Sequence, residues 1–145
     1  MEIILEKMQL ATDRPSDGYT TGGELYLRIG DSYFPEEHWY DCAYINLKKW
    51  IPALISFGRQ HTDRCQLNFM DGPYSVQLSR KDNCSVDAQC FENHTCVNCL
   101  HGIDLTRLLK SAMISCRRYD RFLYENGYNA LFQTETRKIK EILDT

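Results

Sequence analysis

Between positions 84 and 101 stand Cys84, Cys90, His94, Cys96, Cys99 and His101, the densest set of metal-binding, redox and nucleophilic side chains in the sequence. Zinc takes thiolate and imidazole ligands in a tetrahedral array, and a Cys-x2-Cys pair lets two sulfurs face one ion. Cys96 and Cys99 have that spacing, His94 and His101 flank them, and Cys84 and Cys90 stand close enough in sequence to complete four ligands. Structural zinc patterns use two well-separated pairs, whereas this stretch has one pair with irregular neighbours. Cys90 also falls on a predicted strand, where an inward thiol behaves as a small hydrophobe. Ordinary cysteines are therefore the reading that competes with a metal. A thioredoxin-like dithiol sits at a helix N-terminus, where the dipole favours thiolate. This pair instead precedes Asp104, which adds negative charge. Cysteine catalysis needs a histidine base and a third, orienting group. His38, His61, His94 and His101 leave that open, without a local signature for it. Glycine-rich phosphate loops, Gly-x-Ser-x-Gly elbows and His-Glu-x-x-His pairs are absent.

A second concentration follows a predicted strand: Glu36, Glu37 and Asp41, interleaved with His38, Trp39 and Tyr40. Consecutive carboxylates rarely face one catalytic site, so acid–base chemistry is a poor fit. One reading is an exposed helix-entry turn whose acids suit the positive end of the helix after it. The other is an acidic and aromatic contact patch, since aromatics and desolvated charges make binding hot spots. Asp71, in Phe-Met-Asp-Gly-Pro-Tyr, reads as a turn residue bonding its own backbone, with Tyr74 beside it. Arg117, Arg118 and Arg121, near Asp120 and Glu125, read as the solvated, self-paired face of a helix.

The elements that must position these residues follow from periodicity. Residues 1–10 read as a strand and 11–23 as a loop of turn formers. Glu24–Ile29 alternates, with Leu25, Leu27 and Ile29 on one side, and Ser32–Phe34 pairs back across Gly30-Asp31. Leu47, Trp50, Ile51, Leu54 and Ile55 make one helical face, interrupted by Pro52, which predicts a kink or a late start. Cys65–Met70 and Tyr74–Ser79 read as a hairpin, and Val86–Phe91 as a strand. A long helix follows Asp104 as N-cap, with Ile103 and Leu108 at hydrophobic-staple positions, and ends at Gly127. A shorter helix spans Gln133–Leu143. This order predicts a single α+β domain over residues 1–145, with an antiparallel sheet of about five or six strands and two main helices on one face.

The 145-residue length suits one core, and 43% hydrophobic with 26% charged residues excludes a disordered chain. A net charge of −3 disfavours a nucleic-acid partner, which needs clustered positive charge. The N-terminus lacks the features of a signal peptide, and no stretch reaches the ~20 apolar residues of a membrane span. The expected location is the cytoplasm, where the seven cysteines stay mostly reduced.

The segments Gly23–Ile29, Phe34-Pro35, Trp39, the Leu47–Leu54 helix, Phe69–Tyr74 and the amphipathic helix after Asp104 carry a likeness. In style and order they resemble the small immunity proteins of bacterial contact-dependent and polymorphic toxin systems. The resemblance implies a non-catalytic cytoplasmic α+β domain without a cofactor, binding a cognate toxin domain and occluding its active site or substrate surface. For a nuclease toxin, whose surface must be positive, the contacts would come from Asp31, Glu36, Glu37, Asp41 and Asp71, with Trp39, Tyr40 and Tyr74 as anchors. The alternative is a small zinc-binding adaptor using Cys96, Cys99, His94 and His101.

Overall fold

Two four-stranded antiparallel sheets and three helices make up the described part of the protein. The computed structural model describes residues 1–10, 21–82 and 85–145; most of the expected 11–23 loop, and Cys84, lie outside them. The α+β class stands, with the strands divided between two sheets where one of five or six was expected.

Sheet A is centred on β2 (Thr21–Ile29), paired on one edge with β1 (Glu2–Leu10). Its other edge carries two short strands, β3 (Ser32–Phe34) opposite residues 27–29 and β4 (Tyr40–Cys42) opposite 22–24. β2 begins at Thr21, three residues before the alternation that betrays it, because Gly22 and Gly23 carry no side-chain pattern. α1 (Ala43–Gly58) follows at once and continues unbroken through Pro52. Pro52 is exposed, so the carbonyl of Lys48 that it leaves without an amide partner lies on the solvent side, where water can serve it. The helix thus starts earlier than the apolar face at Leu47 suggested.

Sheet B runs in sequence order: β5 (Arg64–Asn68), β6 (Tyr74–Arg80), β7 (Val86–Glu92) and β8 (Thr95–Leu100). Inward residues alternate cleanly in register, Cys65 opposite Leu78, Leu67 opposite Val76, and Leu78 opposite Ala88. β8 has no such alternation, because none of its residues is buried; that is why only the three preceding strands show in the sequence.

The two sheets share one core. α1 packs against both β2 and β5, and its Trp50 lies edge-to-face on Phe69 at 4.9 Å while donating from Nε1 to the Asn68 carbonyl at 2.8 Å. α2 (Leu105–Glu125) packs on β1, where Ile3 N–H donates to Ser111 Oγ at 2.8 Å. Its N-cap is Asp104, accepting from Arg107 N–H at 3.1 Å. Gly127, at φ +84°, follows its end in the left-handed region. α3 (Gln133–Leu143) docks on α1 and α2 through buried Ile139. Among the described residues, no helix is long and apolar enough to cross a membrane.

Candidate interaction surface

The acidic and aromatic stretch is an excursion from an edge strand. Residues 35–39 lie between Phe34, opposite Leu27, and Tyr40, opposite Glu24, so five residues face the two left between on β2. The ladder resumes through Leu25 N–H, which donates to the Trp39 carbonyl at 2.8 Å. His38 absorbs the reversal at φ +64°. The surplus residues have no ladder partner, and they carry Glu36 and Glu37 into solvent.

Asp41 holds this excursion to the second sheet. It is 1% exposed, and its carboxylate accepts from Trp39 Nε1 (3.1 Å), Cys42 N (2.6 Å) and Asp71 N (3.2 and 3.3 Å). A buried carboxylate needs such a full complement of donors to stay inside. Asp41 therefore corrects the expected contact set: it organises the surface from within and offers no oxygen to a partner. The turn at Asp71 is likewise tied by Asp41 through its amide, where a bond from its own side chain was expected. Met70 N–H donates to Asn46 Oδ1 of α1 at 3.1 Å, anchoring the same turn to the helix.

This tie brings together residues far apart in sequence. Trp39 meets Tyr74 edge-to-face, with centroids 5.1 Å apart, and Tyr74 in turn meets Phe34 at 5.8 Å. Gly72, at φ +77°, lies beneath the pair; a Cβ there would stand 2.9 Å from the Tyr74 ring and 3.3 Å from Trp39. Trp39 and Tyr74 remain half-buried, with Glu36, Glu37 and Asp71 exposed. Tyr40 is 50% exposed and lies over Gly22, where a Cβ would come within 2.2 Å of its hydroxyl. Met70, 54% exposed beside Asp71, is an apolar addition that hydrophobic counting over the hairpin assigned to no surface. Asp31 stands apart, at the turn at the other end of β3.

Sequence reasoning placed His38 only among four possible histidine bases. Its Nδ1 lies 2.9 Å from Glu24 Oε2 and its Nε2 3.5 Å from Glu37 Oε1. The imidazole, with Lys7 at 3.3 Å, holds the Glu24 carboxyl below the usual carboxylate range. Glu6 joins them, its carboxylate within 4.8 Å of the Glu24 and His38 ligand atoms. Oxygen and imidazole donors of this kind suit a divalent cation; Lys7 already neutralises part of that charge.

Among the described residues, the Cys/His stretch does not gather into a ligand set. Cys96 and Cys99 do approach, with Sγ atoms 3.1 Å apart on exposed β8. Among the described residues, however, no group of three metal-ligating atoms includes either sulfur. His94 lies in the β7–β8 turn at φ +65°, and His101 Nδ1 lies 3.3 Å from Asp87 Oδ1, spent on a carboxylate. Cys90 is buried in the core, where burial pushes its thiol up to about 12, as it does for Cys65. Burial raises the Cys116 thiol as well. Thiols in apolar surroundings are poor nucleophiles, which counts against cysteine catalysis from these positions.

No family model, curated protein or solved structure matches the chain.

Proposed function

We propose that this chain is a non-catalytic immunity protein that binds a cognate toxin domain, a nuclease in the simplest case, and covers its active site or substrate surface. The observation that supports this reading is the convergence of Trp39 and Tyr74 with the carboxylates of Glu36, Glu37 and Asp71, drawn from two sheets and locked by buried Asp41. Half-buried aromatic rings in a fixed geometry lose little entropy on binding and supply the apolar anchor of an interface. Carboxylates around them steer a positively charged partner and raise its association rate. A nuclease offers that charge, because it must hold phosphates. The overall charge of −3 points the same way.

The test is to express the C-terminal domain of the protein encoded by the neighbouring gene with and without this chain, followed by kinetics on the purified complex. Growth rescue and a stable complex are expected. Glu36→Ala with Glu37→Ala should slow association several-fold at low salt and leave dissociation nearly unchanged. Trp39→Ala should speed dissociation, by roughly 2 kcal/mol in affinity if it is a hot spot. Full toxicity despite co-expression would overturn the reading, and unaltered association in the double variant would remove these acids from the interface.

A further inference from the structure

The pair Cys96–Cys99 takes no part in the surface described above, yet its geometry is specific. Residues three apart on a regular strand point to opposite faces. Here β8 carries a bulge: Phe91 pairs with Cys96 and Cys90 with Asn98, so Val97 is the extra residue. The insertion moves Cys96 into the slot that keeps company with Cys99. The registers agree, since Cys99 ends the outward row Gln66–Gln77–Gln89 and Cys96 ends the neighbouring row Asn68–Ser75–Phe91. Both thiols are exposed and sit 3.1 Å apart, with Cys96 Sγ also donating to the Asn98 carbonyl at 3.4 Å. Among the described residues they are the one pair of cysteines in hydrogen-bonding contact. β8 is an edge strand, so a small reagent reaches them from solvent.

We propose that Cys96 and Cys99 are a dithiol–disulfide exchange site whose co-substrate is a small-molecule disulfide. One thiolate attacks a sulfur of the reagent R–S–S–R, breaking its S–S bond, expelling one thiolate and leaving a mixed disulfide on the protein. The second cysteine then attacks the protein-side sulfur of that mixed disulfide and expels the other thiolate. Two electrons pass from the protein dithiol to the reagent, and the two protons of Cys96 and Cys99 end on the two released thiols. Closure asks the sulfurs to approach by about 1 Å, to the S–S length of ~2.05 Å. The bulge already supplies the shared face, so the ladder to β7 need not break.

The experiment treats the full chain, natively folded, with oxidised glutathione. Remaining thiols are then alkylated and the unreduced digest is mapped by mass spectrometry. The expected product is a fragment two hydrogens lighter, bridged between Cys96 and Cys99 and restored by dithiothreitol. Cys96→Ser and Cys99→Ser, both on the exposed strand, should each stop at the mixed disulfide with one glutathione on the surviving cysteine. Alkyl label or a separate glutathione on both cysteines of the parent would overturn the proposal, as would a bridge from either to a different cysteine. An unchanged far-ultraviolet spectrum in both variants ties the result to the thiols and not to unfolding.

Discussion

At Asp41, three N–H donors, from Trp39, Cys42 and Asp71, meet one buried carboxylate. Read along the chain, Asp41 belongs with Glu36 and Glu37 as another surface acid. Its burial depends on a turn thirty residues later that supplies a donor, which no local pattern contains. Asp41→Ala leaves those donors without their acceptor, and a net loss of about 1–3 kcal/mol in chemical denaturation is expected. Asp41→Asn keeps the shape and an accepting oxygen and should recover part of it. A loss under about 0.5 kcal/mol for alanine, the size of an ordinary surface change, would show that the carboxylate does not hold the two turns together. The cysteines divide the same way. Cys65 and Cys90 are legible as inward strand residues from alternation alone. The meeting of Cys96 with Cys99 hangs on one inserted residue in β8, and an insertion is visible only once the pairing with β7 is known.

Among the elements, α3 starts at Phe132, an N-cap residue whose own side chain makes no capping bond. The cap is supplied by another helix: Asp120 of α2 accepts from Leu131 N (2.7 Å) and from Phe132 N (3.0 and 3.1 Å). Arg121 pairs with Glu125 at 3.0 Å as its helical spacing suggests, but Asp120 is not part of that surface pairing. Asp120→Ala should cost about 1–2 kcal/mol, the range of a lost helix cap, and should raise amide exchange in α3 before α2. Equal protection of both helices in that variant would count against capping in trans. The strands obey similar logic. β5 and β6 announce themselves through alternation around a turn, whereas β4 and β8 bury little and are strands because a neighbour's backbone is there to pair with.

Across the molecule, sheet A and α2 are joined at Glu2, whose carboxylate meets both Arg28 of β2 and Arg107 of α2. Partial burial tends to raise its carboxyl, but the two guanidiniums outweigh that and hold it below the usual range. A depressed carboxylate stabilises the fold at pH above its unfolded value, near 4.3, and that contribution disappears as pH falls through the lower, folded value. Glu2→Gln should therefore be less stable than the parent at neutral pH, by about 1 kcal/mol or less, and converge with it in strong acid. A constant difference from pH 7 to pH 3 would refute the linkage. Asp120 has the opposite sign. Burial raises its carboxyl despite its two amide donors, so its share of stability is greatest in acid and declines as pH rises through the folded value.

The amino-acid order by itself determined the α+β class, the β5–β6 hairpin, the Asp104 cap and the long amphipathic helix behind it. Each is written in a local period or a turn residue, and short-range sterics and hydrogen bonds need nothing from elsewhere in the chain. Tertiary structure alone decided that the strands split into two sheets, that Asp41 turns inward, that Trp39 meets Tyr74 edge-to-face, and that two cysteines three apart share a face. Those outcomes depend on which backbones pair and in what register. Register is set by burying all apolar faces at once, a balance taken over the whole core that no window of sequence contains.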